Sequence, residues 1–441
     1  MRIVIFTIGT EGDVRPLIAL GLGLKAAGHN VLVATDQSCA ALVTDQGLAY
    51  APLNGDFLAW MRSDHSTLKK GLGFFTIMAE ARKRLKAMAE QWPRQAMEAA
   101  VGADLIIGNG MVYYLAASIG ERLAIPVVET QLMPTLPSET PPPVPLPRWL
   151  SSLPGFANRA LGNAARLMVW RSMRPVYNEK VRPALNLPAY PGLACFDAAF
   201  INHPRLYGFS PSLIPPSAAW PGKTLATGAW FLDSPGYEPD KALADFLAAG
   251  PPPVYIGFGS MLHHDPESFT AMVMKAIAIT GDRVILATGW GGLQAATGAD
   301  DRIIAIKRVP HDWLFPKLAL AVHHGGAGTT SAAARAGIPS VIAPVFGDQP
   351  FWAARLAALG AAPPALPREK LSAEHLAEAI RAAKSLAMRA HAAALGEKIR
   401  AENGVATALE TLSDWGLLHA SPSATAAAVE PKRLLAASSR S

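Results

Sequence analysis

The sequence predicts an α/β fold with two doubly wound parallel-sheet domains in tandem, and three observations point to it. The chain has 441 residues, half of them apolar, which suits two or three domains with sizeable cores. Apolar runs of strand length alternate with helical patterns, as in parallel sheets that are covered by helices on both faces. The alternation fills the first 131 residues and starts again near residue 252, so we expect two such units.

The first unit opens with the apolar strand RIVIFTI and the helix PLIALGLGLKAAG, which ends at Gly28, a residue suited to a helix C-cap. The strands NVLVATD, DLIIGN and IPVVETQ follow, with a helix predicted over residues 112–123. Residues 134–154 contain PPPVPLP and are predicted to form a loop, because proline interrupts helices and central strands. Residues 210–223 are expected to link the two domains.

The second unit contains the predicted strands PPVYIGFGS, RVILATG, RIIAI, LALAVHH and IPSVIAPV, with helices expected over residues 266–278 and 329–336. Two sheets in tandem leave a cleft between them. We predict an N-terminal acceptor domain over residues 1–215 and a C-terminal donor domain over residues 216–400. A helix over residues 401–418 is expected to pack back on the first domain, and residues 419–441 are expected to form a low-complexity, disordered tail.

Ligands of such sheets bind beyond the carboxyl ends of the strands. Three glycine-containing segments stand in that position, at residues 9–13, 257–260 and 323–329. We therefore expect these three segments to line the cleft.

The segment HHGGAGTT has the features of an anion site. Gly325, Gly326 and Gly328, with Ala327 between the last two, let backbone amides approach a ligand closely. The helix expected from Thr329 adds unpaired amides and a positive dipole end, which together suit a diphosphate. His324 can add a donor. Taken alone, the segment is also compatible with a tight strand–helix turn.

About 20 residues further on, the next strand leads into Asp348 and Gln349, a carboxylate and an amide suited to gripping vicinal sugar hydroxyls. Together, HHGGAGTT and GDQ resemble the donor-binding signature of the nucleotide-sugar glycosyltransferase family that includes the UDP-glycosyltransferases. The resemblance is greatest to its sterol glucosyltransferase and vancomycin-type antibiotic glycosyltransferase branches, and it extends to about Trp415. It implies the GT-B fold, in which two Rossmann-like domains face each other, and a metal-independent, inverting transfer.

The resemblance also implies roles for the donor-site residues. His324 and the turn from Gly326 to Thr329 would bind the diphosphate, and Asp348 and Gln349 would hold the hexose. In KRVPHDWLFP, the backbone of Val309 would read the nucleobase edge, and Arg308 stands where plant members stack a tryptophan.

Trp290 in TGWGG is a second candidate for stacking on the nucleobase. Plant members hold the ribose with a glutamate, where this sequence has Ala332, so both UDP and TDP donors stay open. GFGSM resembles the family's second phosphate loop, in which Ser260 would donate to a phosphate oxygen; a tight β–α connection is the alternative.

The motif GTEGDVRP opens the first helix and places Asp13 in its first turn, where a carboxylate also favours the helix dipole. The sterol and vancomycin-like branches carry their proposed general base in this motif, so the resemblance assigns that role to Asp13. Such a base removes the proton of the acceptor hydroxyl as its oxygen attacks the anomeric carbon. Thr10 and Gly12 would lie near the donor phosphates.

The acceptor pocket is expected between the proline-rich loop and residues 54–94, and ordinary core packing is the alternative for each of its apolar side chains. The candidates are Phe57, Trp60, Phe75 and Met78, with Phe74 and Trp92 beside them. A lipophilic alcohol such as a sterol, terpenoid or polyketide fits this lining.

Charge and composition restrict the partners. The net charge is +6, but the basic residues are mostly scattered and no nucleic-acid module is evident. One basic cluster surrounds GLGFFTIM and is interpreted as a solvated helix face or as a peripheral membrane contact: Lys69, Lys70, Arg82, Lys83, Arg84 and Lys86.

No run of residues reaches the length of a membrane span. The two cysteines, Cys39 and Cys195, are interpreted as free thiols in a reducing cytoplasm. No spacing of histidines or acids suggests a metal site, so no cofactor is expected.

Other functions remain as alternatives. They include a TDP-sugar-dependent natural-product transferase, a lipid-linked GlcNAc transferase, a nucleotide-sugar epimerase and a non-catalytic transferase-like helper. A helper would be expected to lose the base or the donor residues, yet Asp13, His324, Asp348 and Gln349 are all present. A dinucleotide oxidoreductase is disfavoured because GLGLKAAG lies within a helix.

Overall fold

The computed structural model describes residues 1–55, 82–144, 153–258, 266–288, 300–345, 347–367 and 370–419. Two parallel sheets organise them. The strands are β1 Arg2–Phe6, β2 Asn30–Thr35, β3 Ala49–Pro52, β4 Leu105–Asn109, β5 Val127–Gln131, β6 Arg205–Tyr207, β7 Thr224–Ala226, β8 Val254–Gly257, β9 Val284–Ala287, β10 Ile303–Ile306, β11 Leu320–His323 and β12 Ser340–Ile342.

Helices connect the strands and cover both sheets. They are α1 Glu11–Ala26, α2 Ala40–Thr44, α3 Trp92–Ala99, α4 Tyr113–Leu123, α5 Gly155–Val176, α6 Ala198–Ile201, α7 Lys241–Ala248, α8 Pro266–Thr280, α9 His311–Leu314, α10 Ala327–Ala336, α11 Gln349–Ala358, α12 Ala373–Ala383, α13 Leu386–Ala401 and α14 Gly404–Asp414. None of the helices in these ranges is long and apolar enough to cross a bilayer.

The first sheet has the order β3-β2-β1-β4-β5-β6-β7 and the second has the order β10-β9-β8-β11-β12. Every strand pair is parallel. The expected fold of two doubly wound sheets is therefore confirmed. In each sheet the strand order reverses at a central pair, β1 with β4 and β8 with β11, and ligands bind at such a switch point.

Both faces of the first sheet are buried, as the continuous apolar strands predict. Along β1, Val4 and Phe6 belong to one hydrophobic core, whereas Ile3 and Ile5 point to the core on the other face. All four side chains are fully buried. The loop that follows β1 is consequently anchored by a rigid strand.

The first sheet extends beyond the expected domain boundary at residue 215. Strand β7 pairs in parallel with β6, with Thr224 opposite Arg205. The proline-rich residues 210–223 thus connect two neighbouring strands of one sheet, and the crossing to the second sheet comes after Ala226. Proline and glycine mark a loop in either case, so composition alone did not distinguish a connection within the sheet from an interdomain linker.

The last helix, α14, packs on α1 of the first domain. A side chain at Gly23 would collide with Val405, so the two helices touch at a glycine. Ala408 and Leu412 of α14 are fully buried in the same core as Ile3 and Ile5. The chain therefore returns to the N-terminal domain after building the C-terminal one.

The two chain crossings between the domains also touch each other. Gly228 has a φ of +108°, and a Cβ there would lie 2.8 Å from the Cα of Gly404. Beside this contact, the hydroxyl of Ser210 donates to the carboxylate of Glu402 at 2.7 Å. The connection between the domains is consequently narrow and closely packed.

Candidate active site

The candidate site is formed by three loops at the carboxyl ends of parallel strands. One follows β1, one follows β11 and one follows β12. The first two leave their sheets at the switch points, where neighbouring loops diverge and leave room for a ligand. The segments at residues 9–13 and 323–329 therefore stand where the sequence predicts them.

Asp13 lies in the first turn of α1 and is held by Thr10, the residue that caps this helix. The Oδ2 atom of Asp13 accepts hydrogen bonds from the backbone N–H of Thr10 at 2.8 Å and from its hydroxyl at 3.0 Å. Both donors of Thr10 are therefore engaged by the carboxylate. Gly12 is exposed in the same turn.

Gly9 makes the space that this carboxylate occupies. Its φ is +142°, and a Cβ atom there would collide with the carboxylate of Asp13. Because any other residue would be strained and would displace the acid, the motif needs glycine at this position.

The surroundings of Asp13 raise its pKa. Burial is the largest cause, the two hydrogen bonds from Thr10 oppose it, and the charge of Asp348 raises it further. Asp13 of the first domain and Asp348 of the second domain thus lie close enough for their charges to interact. A carboxylate with a raised pKa is a stronger base, which suits proton abstraction.

The turn after β11 is built around a buried histidine and a glycine. His323 is fully buried, and its Nδ1 accepts a hydrogen bond from the backbone N–H of Gly325 at 3.0 Å. Gly325 has a φ of +92°, and a Cβ there would lie 2.7 Å from Ile342 and 3.2 Å from the carbonyl oxygen of Gln349. The absence of a side chain therefore lets this turn lie against the loop that carries Gln349.

Helix α10 begins directly after the turn, with Gly326 as its N-cap and no side chain capping it. The first hydrogen bond of the helical ladder runs from Thr330 N to Gly326 O at 2.9 Å. The amides of Ala327, Gly328 and Thr329 precede that ladder, and amides in this position are suited to binding an anion.

His324 lies over the start of this helix. A Cβ at Gly326 would lie 2.7 Å from the imidazole Nε2, so the histidine closely covers the glycine. Burial lowers the pKa of His324 to about 4. The ring is therefore neutral at physiological pH and can donate one N–H to a phosphate oxygen.

Asp348 and Gln349 open α11. The Oδ2 atom of Asp348 accepts a hydrogen bond from the indole of the buried Trp352 at 2.7 Å, and burial raises the pKa of this acid. Asp348 remains partly exposed. Gln349 is buried, and its side-chain oxygen accepts from the backbone N–H of Val345 at 2.7 Å. Gln349 thus also stabilises its own loop, and its contact with a sugar stays a prediction.

Arg308 and Val309 lie between β10 and α9. The guanidinium of Arg308 is paired with Glu11 of the first domain at 2.6 Å, and Val309 is partly buried in the core beneath the loop. The pair brings the expected nucleobase segment to the turn that carries Asp13. Sequence reasoning missed Glu11, because no local pattern reveals a partner 297 positions away.

Several predicted residues lie outside the described ranges, and their roles stay predictions: Phe57, Trp60, Phe74, Phe75, Met78, Ser260 and Trp290. Trp92 is described and is fully buried, and its indole donates to the backbone oxygen of Asn54 at 2.6 Å. Trp92 is therefore part of the core. Within the described ranges, no group of three or more His, Cys, Asp or Glu side chains is arranged to hold a metal ion.

Two family profiles match the two domains. Residues 3–140 match the glycosyltransferase family 28 N-terminal domain, and residues 271–411 match the erythromycin biosynthesis protein CIII-like C-terminal domain. Over 424 residues the chain is 34% identical to O-mycaminosyltylonolide 6-deoxyallosyltransferase of Streptomyces fradiae, covering 94% of this chain and 97% of that one. The chain belongs to this glycosyltransferase family.

Other relatives of the glycosyltransferase agree with this assignment. A sterol 3-beta-glucosyltransferase of Arabidopsis thaliana is 34% identical over 421 residues, which is 93% of this chain and 65% of that one. The chain thus spans about two thirds of that relative's length.

Solved glycosyltransferases share the GT-B fold of the chain. The glycosyltransferases of kitacinnamycin and calicheamicin both superpose with a TM-score of 0.65 at 18% identity, over 94% of this chain and 98% of each of theirs. At this identity, the superposition supports the fold alone.

Proposed function

We propose that the glycosyltransferase transfers a hexose, with inversion and without a metal ion, from UDP-glucose to a hydroxyl of a lipophilic alcohol. One observation carries the proposal. Asp13, a carboxylate whose pKa is raised by burial, lies close enough to Asp348 of the second domain to be affected by its charge, and Gln349 beside Asp348 approaches the turn that precedes α10. This arrangement supports the proposal that Asp13 is the base, that Asp348 holds the sugar and that the start of α10 binds the diphosphate.

The proposed reaction is a single displacement. The acceptor oxygen forms a bond to the anomeric carbon while the bond from that carbon to the donor phosphate breaks, and Asp13 takes the hydroxyl proton. The nucleoside diphosphate leaves with the bonding electrons. Attack from the face opposite the leaving group inverts the anomeric centre. Both hydrogen bonds between Thr10 and Asp13 are accepted by Oδ2, so Oδ1 is assigned the contact with the acceptor.

The departing diphosphate gains negative charge, and the chain offers fixed donors for it. The amides of Ala327, Gly328 and Thr329 lie at the positive end of α10. The neutral imidazole of His324 adds a donor that carries no charge of its own. Preorganised donors of this kind stabilise developing charge in the way that a metal ion would.

The acceptor class is proposed from the relatives. Their names identify one as a transferase for a sterol and one as a transferase for O-mycaminosyltylonolide. We assign a lipophilic acceptor of the sterol, terpenoid or polyketide class. A TDP-sugar donor is the second candidate, because the Streptomyces fradiae relative that this chain matches along 97% of its length transfers a deoxy sugar.

The deciding experiment measures sugar transfer by mass spectrometry with EDTA present. Purified protein is incubated with UDP-glucose or TDP-glucose and a panel of sterols, terpenoids and macrolides, in parallel with Asp13→Asn. A glycosylated product that the variant does not form supports the class and the base, and the productive donor decides between UDP and TDP. Transfer only in the absence of EDTA would refute metal independence. Failure to bind either nucleotide would refute the donor site.

A further inference from the structure

A row of buried polar side chains crosses the first sheet beneath the turn that carries Asp13. On the neighbouring strands β2, β1, β4 and β5, the face covered by α1 is apolar, with one fully buried residue from each strand at the same level: Val33, Ile5, Ile107 and Val128. Two positions further along the same face, each strand presents a polar residue instead: Thr35, Thr7, Asn109 and Thr130. We call these four residues the polar row.

The strand register places the polar row at one level of the sheet. Phe6 lies opposite Ala34 and Gly108, so the residues that follow these three are also neighbours, and Asn109 pairs with Thr130. The three threonines of the row are fully buried and Asn109 is 4% exposed. Burying a hydroxyl or an amide costs free energy that valine or leucine would not cost at the same place. Apolar packing therefore does not explain the row.

Hydrogen bonds connect three members of the row to the backbone of Asp13. The hydroxyl of Thr130 lies 3.4 Å from Oδ1 of Asn109 and 3.3 Å from the carbonyl oxygen of Gly108. The Nδ2 atom of Asn109 donates to the hydroxyl oxygen of Thr7 at 3.2 Å, and that hydroxyl donates to the carbonyl oxygen of Asp13 at 3.3 Å. Because Thr7 gives its one proton to Asp13, its oxygen is free to accept, and the amide of Asn109 supplies the donor.

Asp13 is consequently held from two sides. Thr10, which is partly exposed, donates twice to Oδ2 of the carboxylate. Thr7, at the end of a buried strand, holds the main chain of the same residue. The first contact sets the rotation of the carboxylate, and the second sets the position of the first turn of α1 over the sheet. Reacting groups depend on such placement, because a displacement of about 1 Å can cost a hundredfold in rate.

We propose that Thr7 and Asn109 are positioning residues that keep the carboxylate of Asp13 in place for proton abstraction. The inference rests on the proposed role of Asp13 as the base. Thr35 belongs to the same row but not to this chain of hydrogen bonds, since its buried hydroxyl has no partner among the residues that the structure describes. The sheet thus contains its own control.

The test compares two substitutions of the same shape at the same level of the sheet. Thr7→Val removes the hydroxyl that reaches Asp13, and Thr35→Val removes the hydroxyl without a partner. Sugar transfer is measured at saturating donor and acceptor, and nucleotide binding by calorimetry. We expect kcat of Thr7→Val to fall about tenfold, with unchanged nucleotide binding, because the proposed donor contacts come from the second domain. Thr7→Ser, which keeps the hydroxyl, and Thr35→Val should both stay near wild type.

A second comparison tests whether the row acts through the base. In Asp13→Asn no carboxylate is left to position, so adding Thr7→Val should leave the residual kcat unchanged. Asn109→Leu should lower kcat of wild type by a similar factor and should likewise have no effect in Asp13→Asn. This non-additivity is the signature of residues that act as one unit. A loss of folded protein would instead lower the activity in both backgrounds alike, so the comparison holds even where a variant melts at a lower temperature.

The outcomes separate this inference from the assignment of the base. Equal kcat for Thr7→Val and Thr35→Val, with Asp13→Asn inactive, would overturn the positioning role and leave the base in place. A further tenfold loss on adding Thr7→Val to Asp13→Asn would overturn it as well, because the row would then not act through the carboxylate. Full activity of Asp13→Asn would remove the base, and the positioning role with it.

Discussion

Replacing Asp13 by asparagine should separate its chemical role from its structural one. The Oδ2 atom accepts two hydrogen bonds from Thr10, and the amide oxygen of asparagine can accept both. The first turn of α1 and the donor site should therefore persist. Asparagine cannot take the proton of an acceptor hydroxyl, so only the chemical step should suffer.

General-base catalysis contributes about 10² to 10⁴ in rate, which is about 3 to 5 kcal/mol of barrier. We expect kcat of Asp13→Asn to fall by about a thousandfold, since burial makes this carboxylate a stronger base than an ordinary one. By contrast, Asp13→Ala also removes the acceptor for the Thr10 donors, which should lower the free energy of unfolding by about 1 kcal/mol.

The assay follows product formation at saturating donor and acceptor, with nucleotide binding measured by calorimetry. Glu11→Gln is the matched control, because it makes the same change two residues away and removes only an exposed ion pair with Arg308. Its kcat should stay within a few-fold of wild type. If Asp13→Asn retained more than about a tenth of the wild-type kcat, Asp13 would not be the base.

Three further predictions concern Asp348 and two glycines at close contacts. Because the charge of Asp348 raises the pKa of Asp13, Asp348→Asn should move the acid limb of kcat/KM to lower pH, as seen in a pH–rate profile of the residual activity; a limb at unchanged pH would contradict the coupling. Gly325→Ala places a Cβ against Ile342 at a φ of +92°, so urea unfolding should show a loss of about 1–3 kcal/mol, with weaker nucleotide binding by calorimetry. Gly23→Leu should lower the free energy of unfolding by a similar amount, about 1–3 kcal/mol, because α14 packs against this glycine; equal melting temperatures would show that α14 is not seated there.

The fold could be predicted from the sequence, because the strands of parallel sheets buried on both faces are short apolar runs that alternate with helical segments. Strands β1 and β11 are apolar runs except for Arg2 at the start of β1 and His323 at the end of β11, and a glycine follows each strand within three residues. The short β7, Thr224–Ala226, was not predicted, because it follows a proline-rich segment and no apolar run of strand length surrounds it. Its pairing with β6 depends on tertiary contacts.

The candidate site could be predicted only in part from the sequence. The turn motifs gave Asp13 and His324, because glycines and helix starts mark them locally. The pairing of Glu11 with Arg308, and the approach of Asp348 to Asp13, depend on how the two domains meet. A single sequence contains no local signal for contacts between residues some 300 positions apart.

Because α14 packs on the first domain, the core of that domain can be completed only after the C-terminal end of the chain has been synthesised. Ala408, Leu412 and Leu418 complete a core whose other members include residues of β1 and α1. During synthesis, that face of α1 stays open to water until the ribosome has released nearly the whole of the C-terminal domain. A graft that exchanges N-terminal domains between relatives must therefore be cut at both chain crossings and carry residues 402–418 along, or it will leave this apolar groove unfilled.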